Sequence, residues 1–288
     1  MGTSTSSSGP GPGVSLDPPW LDAIGGGDAG GESNDVPGDS GPGGQEGAPG
    51  EGERPQDASP PPHLAPARRF ASAKRDLSKF ASNGDTRSLG RGIGHYSRSG
   101  MGGSRQAANR MRASTRAGAG LVSFLEQVRD GATAEARRWV DELVAGAPSA
   151  DAVVDAIVEA VMPAGGSADE ESIRDSMAVA LSELMVISPE CDVLLMSVED
   201  TWTLMQLYLS REVCNRLRFD MGQLLESAKL NPAVSVQREL EMRQFVRNEI
   251  SVQLAELRGG TPNPTQGQLD GLMQEALRLT FAVYEGVI

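Results

Sequence analysis

The sequence predicts an all-α fold: a helical bundle of about six or seven helices after a long disordered Gly/Pro-rich N-terminal tail. Three observations carry this expectation. From Leu121 onward, apolar residues recur at i, i+3, i+4 and i+7, the spacing of one helix face. No stretch alternates cleanly with the period of two that a half-buried strand needs. The chain's 35 glycines and 18 prolines crowd towards its opening, where few apolar residues interrupt them.

Charge divides the 288 residues into three regions. Residues 1–65 hold ten Asp/Glu and one Arg, a net charge of -9. Residues 66–120 hold twelve Lys/Arg and two Asp, a net of +10. Residues 121–288 hold thirteen Lys/Arg and twenty-seven Asp/Glu, a net of -14. The reading is a disordered acidic tail, a basic Gly-containing helical segment and an acidic all-helical domain. The tail buries too little apolar surface to offset the chain entropy lost on folding. Its one interruption is VSLDPPWLDAI at residues 14–24, with Val14, Leu16, Trp20, Leu21 and Ile24. That patch reads either as a short docking motif or as incidental composition.

In the basic segment, Phe70, Leu77 and Phe80 share one side of a helix that Asn83-Gly84 would end. Asp85 would cap a short helix through Ile93, with Gly94 stopping it, and a second would run from Ser104 to Arg116. Glycines 100, 102 and 103 mark a turn between them. Beyond it, Leu121, Phe124, Leu125 and Val128 form one stripe. Thr133 opens a helix facing inward through Trp139, Val140, Leu143 and Val144, and Val153 to Val161 form the next. Ser167-x-x-Glu170 is a capping box ahead of Ile173, Met177, Leu181 and Leu184. Ser188-Pro189-Glu190 reads as another start, for a helix reaching about Leu230 with a bend at Gly222. Val246, Ile250, Leu254 and Leu257 mark a further helix, and Leu269, Leu272, Met273, Ala276, Leu277 and Tyr284 the last.

Few residues suit catalysis. The two histidines are His63, in a Pro-rich linker, and His95. Cys191 and Cys214 are too far apart for a zinc ligand pair and too few for a disulfide framework, so a reducing, cytoplasmic setting is expected. Lys74, Lys79 and Lys229 follow no phosphate-binding glycine loop, and GRGIG lacks both the strand and the spacing of a dinucleotide loop. No run approaches about 18 apolar residues, so no membrane span is expected. The chain reads as a non-enzyme without a cofactor or metal. Its strongest electrostatic feature is the row Arg87, Arg91, Arg98, Arg105, Arg110, Arg112 and Arg116, with His95 beside it and Tyr96 available to stack on a base. That row suits the chain's own acidic helices, an acidic protein partner, or nucleic acid.

MGTSTSSSGPGPG, the run Pro18 to Leu21 (with Pro19 and Trp20 inside it) and RSLGRGIGHYSRSGMGGS, followed by an acidic helical half, resemble the Qat anti-phage system associated protein QatB family. The resemblance implies three partners: a P-loop ATPase, a QueC-like enzyme of 7-deazapurine chemistry and a TatD-like nuclease. It also gives the opening a chemical meaning. Removal of Met1 would expose Gly2 as an unhindered α-amine, an acceptor for a 7-deazaguanine-type group, with Thr3, Ser4 and Thr5 lining the enzyme's entry. The opening also fits M-G-x-x-x-[ST] through Ser6, but a single acyl chain anchors only marginally and no polybasic stretch follows. A different reading makes the basic segment a nucleic-acid adaptor that presents phage DNA to the nuclease.

Overall fold

The computed structural model describes residues 68–222, 231–259 and 264–288, all within the second of two units that divide after Leu64. The expected tail and its patch at 14–24 lie outside the described residues. So do residues 223–230, into which the helix after Pro189 was expected to run.

Among the described residues there are ten α-helices and no strand. They are α1 (Ala71–Asn83), α2 (Thr86–His95), α3 (Ser104–Asn109), α4 (Arg112–Asp130) and α5 (Ala134–Ala145). After them come α6 (Ala150–Val161), α7 (Ala168–Ile187), α8 (Val198–Met221), α9 (Pro232–Arg258) and α10 (Gln266–Glu285). A π-helical turn, Tyr96–Met101, follows α2 directly.

Local chemistry sets most of the starts. Asp85, Thr133, Ser149, Ser197 and Asn231 each accept a hydrogen bond from a first-turn backbone N–H. Ser167 with Glu170, and Thr265 with Gln268, form reciprocal capping boxes. Each such cap is worth about 0.5–2 kcal/mol, because it satisfies a donor the helix leaves unpaired.

The core is built around α8, which buries residues on all sides from Thr201 to Met221. α7 lies antiparallel to it: Asp169 meets Arg216 at 3.2 Å, and Asp175 meets Arg211 at 2.9 Å. α9 covers another side, also antiparallel, with Arg258 on Glu199 at one end and Arg218 on Glu239 at the other. α4 closes a third side, where the buried Tyr208 hydroxyl donates to the Ser114 carbonyl at 2.7 Å. α10 packs on α4, α9 and α2. Fully buried side chains such as Leu121, Met177 and Phe281 each contribute about 1.5–3 kcal/mol relative to exposure.

Several expected boundaries differ, each for a physical reason. Gly94 does not stop its helix. It lies inside α2 so that the backbone can press against α10, where a Cβ would meet the Tyr284 carbonyl. The chain stays helical through the π turn and stops at Gly102, whose φ of 85° is left-handed. The helix expected over Ser104–Arg116 is instead two, broken at Arg110-Met111, which turns Met111 into the core. α4 then runs unbroken through residue 120, so the basic segment and the acidic half share a helix. Ser188-Pro189-Glu190 starts no helix. Pro189 sits inside a turn in which the Cys191 N–H donates to the Ser188 carbonyl at 2.9 Å. The true start is Ser197, and α8 ends at Met221 with Gly222 at φ 77°. α5 buries only Ala136, and its expected inward residue Val144 is 56% exposed. Trp139 instead meets Phe124 edge-on at 5.0 Å.

The close approach at Gly94 has a measurable consequence. Gly94→Ala is expected to destabilise the body by about 1–3 kcal/mol, because the added methyl must push α2 away from α10. Urea unfolding followed by circular dichroism reads this, and an unchanged midpoint would refute the contact.

Candidate functional site

The basic residues singled out in the sequence lie on the hairpin of α1 and α2 and on the helices that follow. Gly84, at φ 75°, joins the two hairpin helices. Their antiparallel pairing places Asp76 of α1 beside Arg91 and His95 of α2. Asp85 caps α2 by accepting from the Arg87 N–H at 3.1 Å. Its carboxyl is held below the usual range by the Ser88 hydroxyl, which donates to it, and by the backbone N–H of Arg87.

An open groove of about 490 Å3 lies along this hairpin, lined by Arg75, Asp76, Lys79, Arg91, His95 and Ile288. Arg75, Arg91 and His95 approach the buried Asp76 at 3.7, 3.8 and 3.6 Å. Lys79 approaches Asp85 at 3.7 Å. Arg87 and Arg98 are exposed on the α2 and π-turn surface. Arg105, also exposed, lies on α3, and its charge helps Arg278 hold the Glu275 carboxyl below its usual range.

Tyr96 belongs to the core. Its exposure is 0%, and its ring stacks on Phe70 at 5.7 Å and tilts against Phe281 at 6.1 Å. The hydroxyl donates to Asp220 at 2.7 Å. Burial first, then the Asp220 carboxylate, pushes the phenol well above its ordinary value. No ring face is left for a base, so the expected stacking role gives way to a structural one. Ser97 donates to Glu285 at 2.5 Å, and Arg110 approaches Asp220 at 3.9 Å. Arg116 approaches Asp270 at 4.0 Å. Part of the basic segment therefore faces the chain's own carboxylates.

The sequence reading missed Arg75, Asp76 and Lys79 as neighbours of this row. The i, i+4 spacing of Arg75 and Lys79 was visible; the hairpin that sets them opposite Arg91 and His95 was not. Gly2, Thr3, Ser4, Thr5, Pro19, Trp20 and Leu21 lie outside the described residues.

Elsewhere, reactive side chains serve packing. Burial pushes the Cys191 thiol up to about 11 and the Cys214 thiol up to about 12, away from the thiolate that a nucleophile needs. Glu212 is buried between α4 and α7, accepting from Ser176, and burial raises its carboxyl. Among the described residues, no three His, Cys, Asp or Glu converge as metal ligands, and no helix is long and apolar enough to cross a membrane.

The family described as Qat anti-phage system associated protein QatB matches the chain over residues 102–284. The matched span contains α3 to α9 and all but the last residue of α10. The opening, the Pro18–Leu21 run and most of RSLGRGIGHYSRSGMGGS lie outside it, so the match rests on the helical body. No curated protein and no solved structure matches.

The Tyr96–Asp220 bond is open to direct measurement. Tyr96→Phe is expected to cost about 1–3 kcal/mol, because a part-buried carboxylate loses its donor. Asp220→Asn, which keeps an acceptor, should cost less. Equal stability of wild type and Tyr96→Phe in urea would contradict the assignment.

Proposed function

Because the chain belongs to the Qat anti-phage system associated protein QatB family, and is thus a component of that defence system, we propose that it acts there as a non-catalytic scaffold and as an acceptor of N-terminal modification. The family match over the helical body supports the place in the defence system on which this reading rests. The body's reactive groups support it: both thiols are raised by burial, and His95, the one histidine among the described residues, lies beside Asp76.

The acceptor is the α-amine of Gly2, in a mature chain from which Met1 has been removed. The QueC-like partner uses ATP to convert a carboxylate on 7-deazaguanine into an acyl-adenylate. The Gly2 nitrogen attacks the acyl carbon in place of ammonia. An N–C bond forms, the C–O bond to AMP breaks, and the amine gives up a proton. An α-amine with a pKa of about 7.7–8.0 is partly neutral at cytosolic pH, whereas a lysine near about 10.4 is almost wholly protonated. Glycine adds no side chain to obstruct the pocket. Thr3, Ser4 and Thr5 line the enzyme's entry, and Pro19, Trp20 and Leu21 add a docking contact. The helical body binds the P-loop ATPase and brings the TatD-like nuclease into the same assembly.

Intact-mass measurement of the full chain, co-expressed with the system's other components, tests this reading. The expected result is loss of Met1 together with an added mass confined to the first peptide. A bare Gly2 or a retained Met1 would overturn it. Gly2→Pro, which removes the primary amine, should abolish protection against phage while leaving the helical circular dichroism spectrum unchanged.

A further inference from the structure

The α1–α2 groove carries more positive charge than its neighbours neutralise. Arg75 and Lys79, one turn apart on α1, are 71% and 53% exposed. Arg91 and His95 stand one turn apart on α2, facing the same carboxylate. All three contacts to Asp76 exceed 3.5 Å, so none of those groups spends a hydrogen bond on it. The Arg91 Nε is buried without a hydrogen-bond partner, and its Nη2 donates to the Ser88 hydroxyl at 3.4 Å. Arg75 and Lys79 are exposed and 3.7 Å from their carboxylates, and contacts of exposed cations at such a separation are worth about 0–1 kcal/mol, so both stay available to an incoming anion. The array also extends beyond the groove. Arg87, Arg91 and His95 fall at i, i+4 and i+8 along α2, a span of about 12 Å, and Arg98 follows in the π turn.

We propose that this hairpin binds the phosphate backbone of duplex nucleic acid without reading its sequence. The lining decides between polyanions. A protein partner is held by apolar and aromatic anchors at the centre of its interface, and the described lining of this groove includes Ile288 but no Phe, Tyr or Trp. Phosphate contacts need only cations and N–H donors, and a planar guanidinium matches two phosphate oxygens. Cations spread over α1, α2 and the π turn, Arg75, Lys79, Arg87, Arg91 and Arg98, suit a polymer of regularly spaced charges better than a single small anion. Single strands are held by stacking on aromatic faces, and Tyr96 offers none. The acidic remainder of the chain, which brings the total to -13, makes the binding weak and sharply salt-dependent.

The test is fluorescence anisotropy of the full chain with a labelled duplex of about 20 base pairs, in about 50 and about 200 mM salt. With about four phosphates contacted, affinity is expected to fall about 100-fold between the two. Arg75→Glu with Lys79→Glu changes two exposed side chains, so the circular dichroism spectrum should stay the same. Binding in about 50 mM salt should drop at least about 10-fold, and the salt slope should fall by about two. The matched pair Arg137→Glu and Arg138→Glu on α5 should leave binding as it was. Three results would overturn the proposal: no binding at low salt, full binding by the α1 variant, or tighter binding of a glutamate oligomer than of the duplex. The last would reassign the groove to an acidic protein. Gly2→Pro should bind as wild type does, which separates this site from the N-terminal chemistry.

Discussion

The body depends on how closely α2 and its π turn can approach α10. At Gly94 the two backbones touch, with the Tyr284 carbonyl where any other residue would place its Cβ. That approach seats Tyr96 and Ser97. Tyr96 enters the core and donates to Asp220 at the end of α8, while Ser97 donates to Glu285 at the end of α10. Hydrogen bonds to charged groups are worth about 1.5–3 kcal/mol each, more than neutral ones. Two of them, on adjacent residues, fasten a glycine-rich segment to α8 and α10.

This attachment explains how a segment of net charge +10 lies beside a half of net charge -14 without a simple sheet of charge pairing. The inward face is apolar, with Leu89 and Ile93 fully buried. Neutralisation occurs at separate points, among them Arg110 near Asp220, Arg116 near Asp270 and Arg105 acting on Glu275. Exposed cations such as Arg75, Lys79, Arg87 and Arg98 face outward because the apolar face of the hairpin has already been used. The two proposed roles therefore sit in different parts of the chain: amine chemistry at Gly2, and polyanion contact on the α1–α2 surface.

Much of the fold was legible because it rests on local chemistry. The Ser167 and Glu170 box, the Asp85 and Thr133 caps, and the apolar stripes of α7 and α10 are set within one or two helical turns. What could not be read depends on distant residues. Gly94 looks like a stop signal until α10 is placed beside it. Ser188-Pro189 looks like a helix start because a cap followed by proline also describes a turn. The stripe on α5 promises burial, but the helix lies at the edge and only Ala136 goes inside. At the site, the basic row itself was visible, whereas Asp76 and the fate of Tyr96 required a partner 124 residues away and a hairpin crossing.

The central claim is that the glycine-rich basic segment is built into the helical body. Hydrogen–deuterium exchange on the full-length protein tests it most directly. If the claim holds, amides from Leu89 to Gly100 exchange as slowly as those in the middle of α8 and α10. Exchange over that stretch as fast as in an unfolded peptide, with α8 still protected, would contradict it.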